Sequence, residues 1–260
     1  MARAKRHYLP GHVWHITHRC HKKEFLLKFA RDRRRLLQWL FEAKKRYSLK
    51  ILNYCITHNH IHLLVIDTGK NAIARSMQLV AGRVGQEFNQ RKNRNGAFWE
   101  DRYHTAIMKD SYLLHCLVYI DLNMVRAGVV EHPSMYSFCG FNEIIKSPKR
   151  YRIIDRESLK NYCGFTNMTT FIMEYKQWID RACNSTQFEK DMKWSESIAV
   201  GSQEFIDEIR GKLDYRVLSR KAIEKNGLFH LKEPDASYTI DFTAKNNSLN
   251  NDNTYSWYAF

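Results

Sequence analysis

A His-x-His pair at the start of an apolar segment limits what this chain can fold into more than any other feature. His60 and His62 lead into Leu63-Leu64-Val65-Ile66, a partly β-branched run that is typical of a buried strand. Because side chains alternate across a strand, both imidazoles would share one face, with Ile61 on the other. Two imidazoles side by side on a strand can bind one divalent metal ion. They can equally be polar residues on a half-exposed face, so a third ligand is needed to decide.

The order of predicted elements around this pair indicates an α+β fold. Alternating apolar residues predict strands, and apolar residues repeating every three or four positions predict helices. The predicted elements are a strand at 11–19, a helix at 30–47, strands at 50–57 and 60–67, a helix at 72–90, a strand at 105–109 and a helix at 110–127. The first six form a ferredoxin-like βαββαβ unit, an antiparallel sheet with the histidine pair on an inner strand. The last helix is an addition to that unit.

The pattern changes after Val130, which suggests a division into three parts. Residues 1–130 contain the ferredoxin-like sheet and the added helix. Residues 131–232 contain amphipathic segments and predict a helical C-terminal appendage. Residues 233–260 are polar and rich in asparagine, which predicts a disordered tail.

Positive charge is concentrated in the first part of the chain. Residues 1–150 hold 27 lysines and arginines against 11 aspartates and glutamates, whereas residues 151–260 hold 15 against 16. A field so one-sided favours a polyanionic partner, and nucleic acid is the commonest polyanion in a cell. No apolar run approaches the length of about 20 residues that a membrane span needs. Six widely spaced cysteines fit reduced thiols in a cytoplasm.

The helix predicted at 110–127 offers the missing third ligand. Tyr119 and Asn123 are four residues apart and therefore share one helix face. The carbonyl oxygen of Asn123, with His60 and His62, makes a suitable donor set for Mg²⁺ or Mn²⁺. Such an ion would attract a backbone phosphate, and Tyr119 could attack its phosphorus to form a phosphotyrosine. Because the phosphotyrosine retains the bond energy, DNA could be cut and rejoined without ATP.

Each of these helix residues also has an ordinary structural interpretation. Tyr119 could be an amphipathic core residue whose hydroxyl bonds to a carbonyl group. Asn123 could lie on the helix surface, and His115 is expected to be structural. The combination with the histidine pair and the charge distribution favours the catalytic interpretation.

Four motifs in order carry a resemblance to a known family. They are YLPGHVWHITHR at 8–19, HIHLLV at 60–65, AFWEDRYH at 97–104 and YIDLNMVRAG at 119–128. In these motifs the chain resembles the REP-associated tyrosine transposases of the HUH single-strand transposase superfamily. The match extends over about residues 1–140 and continues more loosely beyond.

The resemblance implies a metal-dependent endonuclease and strand transferase that acts on single-stranded DNA at hairpin repeats through a 5′-phosphotyrosine. It implies that Tyr119 is the nucleophile and that His60, His62 and Asn123 hold the metal. The family often has proline where Met124 stands, and a small residue where His58 stands. Members work as monomers or as homodimers, so the tyrosine can meet the histidines of its own chain or of a partner.

Further residues are expected to contact DNA because they lie in the motifs beside the site or in a basic loop. These residues are Arg19, Arg91, Lys92, Arg94, Arg102, Tyr103, His104 and Arg126. Trp99 and Tyr103 could stack on unpaired bases, although core packing is the stronger interpretation for Trp99. A protein of this kind is expected in the cytoplasm, associated with the nucleoid, and not in a membrane.

Two other functions remain open on the same fold. The chain could be a domesticated protein that binds hairpin DNA and no longer cuts it. It could also be an RNA-binding module, since the element order matches RNA-recognition folds, but its strands lack the aromatic-rich signature of such modules. The intact set of Tyr119, His60, His62 and Asn123 favours the enzyme.

Overall fold

The computed structural model describes residues 8–108, 110–184, 197–212, 222–225 and 228–232. The tail predicted to be disordered, residues 233–260, lies outside the described residues. Within the described part, none of the helices combines the length and apolar character that crossing a bilayer requires.

Four antiparallel strands form the predicted sheet. They are β1 (Val13–Arg19), β2 (Lys50–Ile56), β3 (His60–Ile66) and β4 (His104–Met108), in the spatial order β2-β3-β1-β4. This is the strand order of a ferredoxin-like βαββαβ unit, so the predicted fold class is confirmed. Strand β3, which carries the histidine pair, is an inner strand as predicted.

Two long helices, α1 (Ala30–Tyr47) and α2 (Ala72–Lys92), pack against each other. Their apolar stripes, including Leu36 and Val80, are fully buried because they cover one face of the sheet. Every residue of β3 after His60 is buried, so the other face of the sheet is covered as well.

The added helix covers that other face, but it is interrupted. Helix α3 (Asp110–Asp121) lies against β1, β2 and β3, and α4 (Asn123–Arg126) follows after a break at Leu122. The backbone of Leu122 has φ −79° and ψ 5°, outside the helical region. The segment ends at Gly128 as predicted, with φ +66° and a hydrogen bond from its N–H to the carbonyl of Val125 at 2.9 Å.

The C-terminal appendage is only partly helical. It contains α5 (Phe141–Ile145), α6 (Arg156–Tyr162), α7 (Met168–Asn184) and α8 (Gln203–Lys212), and also β5 (Ser197–Gly201), β6 (Ala222–Lys225) and β7 (Leu228–Lys232). Strand β5 pairs in parallel with β4, and β7 and β6 continue the sheet to seven strands. The sequence analysis predicted a helical appendage and did not identify these strands, because segments of four or five residues carry too little periodicity to identify a strand. These strands cover the edge that β4 would otherwise expose.

The first helices of the appendage pack into the same core as the main domain. Phe171 and Tyr175 of α7 are fully buried in the cluster that contains β3. Isolated bridges join Ile51 to Ile154 and Cys55 to Cys139. The predicted division at residue 130 stays a prediction, but these contacts make the packing continuous across it.

Candidate active site

The two histidines of β3 lie side by side on the sheet face that α3 covers. The ring centroids of His60 and His62 are 4.9 Å apart, and the ring planes are nearly perpendicular at 85°. His62 is only 2% exposed, whereas His60 is half-buried at the end of the strand. The strand alternation predicted from the sequence therefore brings both rings to one place.

Hydrogen bonds at Nδ1 orient both rings. The Nδ1 of His60 is 2.7 Å from Oδ1 of Asn59 and 2.9 Å from the hydroxyl of Thr57. The Nδ1 of His62 is 2.9 Å from Nε2 of His15. Metal-binding histidines are commonly held in this way through the nitrogen that does not coordinate. The arrangement makes Nε2 of each ring the atom suited to bind a metal.

His15 is a supporting residue that the sequence analysis missed. Its ring stacks on that of His62 with centroids 5.1 Å apart and planes at 10°. If His62 coordinates through Nε2, its Nδ1 carries the hydrogen and Nε2 of His15 accepts it. The signal was present as a second histidine at the alternating position of β1, but only the strand pairing brings the two rings together.

Asn123 contacts the coordinating edge of His62. Its side-chain amide lies 3.0 Å from Nε2 of His62, and turning the amide by 180° exchanges its nitrogen and oxygen. Within the described residues, no group of three or more His, Cys, Asp or Glu could hold a metal ion. A site here therefore depends on the Asn123 oxygen. Two imidazole nitrogens and one amide oxygen fit Mn²⁺ or Mg²⁺, which keep further positions for water or phosphate.

Tyr119 lies against the same histidine, in the same chain. Its ring centroid is 5.7 Å from that of His62 and 6.2 Å from that of His15, with both pairs nearly perpendicular. The guanidinium of Arg126 lies 4.2 Å from the centroid of the Tyr119 ring. Arg126 also donates to the backbone carbonyl of Tyr119 at 2.5 Å. The structure thus brings together all four residues that the sequence singled out, although Tyr119 is only 7% exposed.

The surroundings keep His62 neutral. Burial lowers the pKa of His62 well below its usual value, and the nearby His60, His15, Arg126 and Arg19 lower it further. A neutral imidazole is the form that binds a metal. The concentration of basic groups also makes this end of the sheet attractive to a phosphate group.

A buried carboxyl group anchors the helix that carries Tyr119. Asp121 accepts hydrogen bonds from Asn53 of β2, at 3.0 Å, and from the hydroxyl of Tyr175 of α7. Burial raises the pKa of Asp121 to about 7, although the bonds from Tyr175 and Asn53 partly oppose the rise. Because Asp121 lies between Tyr119 and Asn123 in sequence, this network ties both to the sheet and to the appendage. A charged residue within an apolar helix was the signal that could have identified it.

Several predicted DNA contacts lie at the same end of the sheet. Arg19 is the cross-strand partner of His60, and His104 is the partner of Thr17, so these side chains share the face of the histidine pair. Arg102 is exposed in the loop just before β4. Their position is suited to a backbone phosphate, and their role in DNA binding stays a prediction.

The predicted basic loop is only partly a loop, because Arg91 and Lys92 lie in the last turn of α2 and Arg94 follows the helix. All three residues have contacts within the protein. Arg91 forms an ion pair with Asp32 of α1. Arg94 donates to the carbonyl of Ala97 at 3.0 Å, and it lies 3.7 Å from a carboxylate oxygen of Glu24. The ammonium group of Lys92 lies 5.4 Å from the ring centroid of Phe29. Arg126, the remaining predicted contact, is engaged with Tyr119 as described above.

The environments of Trp99 and Tyr103 limit base stacking. Trp99 stacks on His18 with centroids 4.1 Å apart and donates its indole N–H to the carbonyl of Ala81 at 3.0 Å. This favours the core-packing interpretation of Trp99. Tyr103 is half-buried, and its hydroxyl accepts a hydrogen bond from that of Tyr8 at 2.8 Å.

Comparisons with known proteins found similarity in the part of the chain that holds the four-stranded sheet and helix α3. Residues 9–123 match the model of a family described as IS200-like transposases. One similar structure is a REP-associated tyrosine transposase bound to a REP hairpin, with 19% identity over 56% of this chain and 87% of the other, and a TM-score of 0.45. Another is a Deinococcus radiodurans R1 protein described as a transposase, with 14% identity over 40% and 84% and a TM-score of 0.31. No curated protein matches the chain. The family match over residues 9–123 agrees with the resemblance seen in the motifs.

Proposed function

We propose that this protein cuts and rejoins single-stranded DNA at hairpin-forming repeats, and the match of residues 9–123 to the model of the IS200-like transposases supports the proposal. The observation that carries the proposal is the meeting of Tyr119, His62 and Asn123 in one chain, with contacts of 5.7 Å between the two rings and 3.0 Å between amide and imidazole. A tyrosine with a purely structural role would not require a neutral histidine beside it. Nor would it require an amide group close to Nε2 of that histidine.

In the proposed reaction Tyr119 is the nucleophile. Its phenolic oxygen attacks a backbone phosphorus, the bond to the 3′ oxygen breaks, and a 5′-phosphotyrosine forms. The phenolic proton passes to water, and the released 3′ oxygen takes up a proton. A second 3′-OH can attack the phosphotyrosine in the reverse sense, which joins the strand to a new end.

His60, His62 and Asn123 would hold one Mg²⁺ or Mn²⁺ ion. When bound, such an ion offsets the negative charge that develops on the phosphate oxygens. The residues of the chain itself contribute orientation, since Asn59 and His15 fix the two rings through Nδ1.

The substrate of this reaction would be held by cationic side chains around the site. Arg19, Arg102 and His104 are proposed to contact the phosphates beside the scissile bond, as their placement at the end of β1, β3 and β4 supports. The basic loop with Arg91, Lys92 and Arg94 and the ring-stacked Arg126 are proposed as further contacts. Since Tyr119 and the histidines meet within one chain, a monomer would suffice, with a homodimer as the alternative. A DNA substrate would place the protein at the nucleoid of the cytoplasm.

The direct test is covalent attachment to DNA. We expect the wild-type protein, incubated with labelled hairpin DNA and Mn²⁺, to give a protein–DNA adduct on a denaturing gel. The Tyr119→Phe variant should give none while still binding the hairpin, and excess chelator should stop adduct formation by the wild type. Tyr151→Phe is a matched control, because Tyr151 is 74% exposed and belongs to the appendage. An adduct from Tyr119→Phe at the wild-type level would show that another residue is the nucleophile.

One observation favours a second candidate function, a hairpin-binding protein that does not cut. Tyr119 is 7% exposed, so its phenol must become accessible before it can reach a phosphate. A wild-type protein that binds hairpin DNA tightly but forms no adduct with any divalent ion would support this alternative.

A further inference from the structure

Two phenylalanines stand out from the described part of the chain by their exposure. Phe25 is 64% exposed and Phe29 is 56% exposed, while the other described phenylalanines are buried or partly buried. Both lie in the segment between β1 and α1, four residues apart. Together they form what we call the aromatic ridge. Exposed apolar side chains that are near neighbours can mark an interaction site, and the contacts around these two rings bear on that interpretation.

The ridge is held rigidly beside the candidate active site. The N–H of Leu27 donates to the carbonyl of His58 at 2.9 Å, and the amide of Asn59 donates to the carbonyl of Lys23 at 3.0 Å. The Phe25 ring lies 6.3 Å from that of His58, two residues before the first histidine of the pair. The turn that leads into the metal-binding strand therefore supports the ridge directly.

A second anchor fixes the ridge from the side of α1. The guanidinium of Arg33 donates to the carbonyls of Leu27, at 2.8 Å, and Lys28, at 2.6 Å. Arg33 is itself only 8% exposed, so it is a structural support and not a surface charge. Rigid presentation of an aromatic ring lowers the entropic cost of binding to it.

The surroundings of the ridge are cationic. Lys22, Lys23 and Lys28 are exposed around Phe25, and Lys92 lies over the ring of Phe29. The neighbouring carboxylate, Glu24, lies within ion-pair distance of Arg94. Exposed aromatic rings among lysines are the pattern of surfaces that bind single-stranded nucleic acid, where bases stack on rings and phosphates meet the cations.

We propose that the aromatic ridge is a stacking site for unpaired bases of the single-stranded DNA that flanks the cleavage position. This inference rests on the proposed function, because it takes the ridge to continue the DNA path away from the histidine pair. It assigns to Phe25 and Phe29 the stacking role that the sequence suggested for Trp99 and Tyr103. The ring of Trp99 is already stacked on His18, and the hydroxyl of Tyr103 is bonded to that of Tyr8. The ridge would bind the single-stranded flank, and other surfaces of the protein would bind the hairpin stem.

The test compares binding of two DNAs by the full-length protein in the Tyr119→Phe background, which prevents cleavage. One DNA is a hairpin with a single-stranded flank, and the other is the same hairpin without a flank. We expect the Phe25→Leu and Phe29→Leu variants to bind the flanked hairpin about tenfold more weakly, the loss typical of one base–aromatic stack. Binding of the blunt hairpin should stay the same. Leucine keeps the apolar character and removes the ring, while Phe25→Trp should retain binding.

A fluorescent base provides a readout that does not depend on affinity. With 2-aminopurine at single positions of the flank, quenching should appear at one or two positions and be lost in Phe25→Leu. Tyr151→Leu is the matched control, since it removes another exposed ring that lies in the appendage. Equal melting temperatures of the variants would establish that folding is unchanged.

The outcomes separate this inference from the proposed function. If the wild type forms adducts but the ridge variants bind the flanked hairpin as tightly as the Tyr119→Phe parent does, the ridge proposal is wrong and the proposed enzymatic activity is unaffected. If the ridge variants bind the flanked hairpin more weakly and lose the quenching, but the wild type forms no adduct, the ridge proposal is supported and the cleavage proposal is wrong. If the ridge variants instead alter self-association without affecting DNA binding, the ridge is a contact between protein copies and the proposal is overturned.

Discussion

At the scale of single residues, the site depends on which nitrogen of each histidine carries a hydrogen. His60 and His62 were identifiable from their spacing in the sequence. Their orientation was not, since it comes from neighbours that strand pairing supplies. Asn59 precedes His60 in the chain, but His15 reaches His62 only because β1 and β3 are adjacent. A cross-strand register cannot be read from one sequence, so the supporting histidine remained hidden.

Removing His15 should weaken metal binding without removing a ligand. In the His15→Ala variant, the hydroxyl of Thr17, 3.3 Å from Nδ1 of His62, would remain as a hydrogen-bond partner of that nitrogen. We expect the affinity for Mn²⁺ to fall by about 10- to 100-fold, the usual effect of losing such a supporting contact. Isothermal titration calorimetry measures it directly.

The control for this experiment is another histidine of the same segment. His12→Ala should bind Mn²⁺ normally, because Nδ1 of His12 lies 3.2 Å from the carbonyl of Pro10, just before β1 and at the opposite end of that strand from Arg19, the partner of His60. His15→Gln, which keeps an acceptor, should recover part of the affinity. Wild-type affinity in His15→Ala would mean that His62 needs no partner at Nδ1.

At the scale of elements, predictions succeeded where periodicity was long and failed where it was short. Helices α1 and α2 and strand β3 have clear apolar patterns and lie where they were expected. Strand β5 is five residues long and depends on the open edge of β4 for its pairing. The break at Leu122 also has no local signal, because neither glycine nor proline is present there. Tertiary contacts decide such features, and a single sequence does not contain them explicitly.

Helix α3 should give the protein a characteristic pH dependence through Asp121. Its pKa is raised from 3.8 to about 7 in the folded protein, mainly by burial. Between these values the folded state binds more protons than the unfolded state, so the free energy of unfolding falls as pH rises and levels off above about pH 7. The Asp121→Asn variant should lack this contribution.

Urea denaturation of both proteins between about pH 4 and pH 8 measures the effect. The stability difference between wild type and Asp121→Asn isolates this one carboxyl group, since other titrating groups are common to both. We expect the free energy of unfolding of the wild type to fall, relative to that of the variant, as pH rises through this range. Parallel curves would show that Asp121 ionises in the folded protein as readily as in the unfolded chain.

At the scale of the whole molecule, the appendage and the main sheet are joined through one buried carboxyl group. The hydroxyl of Tyr175 reaches Asp121 across the core, and Asn53 links the same carboxyl group to β2. Gly140, which belongs to the appendage, lies closely packed against Asn53. The helix that carries the proposed nucleophile is thus held from both sides, and we expect residues 139–175 to help position Tyr119.

A methyl group at Gly140 tests this dependence. The added Cβ would lie 2.0 Å from Oδ1 of Asn53 and 2.7 Å from Cδ1 of Ile154, so Gly140→Ala must displace buried neighbours. We expect a loss of about 1–3 kcal/mol in the free energy of unfolding, together with slower adduct formation at temperatures where the variant is fully folded. Gly82→Ala is the matched control, because nothing lies within 4 Å of a Cβ there and alanine favours the interior of α2. A Gly140→Ala protein that is less stable yet forms adducts at the wild-type rate would show that the appendage stabilises the fold without positioning the tyrosine.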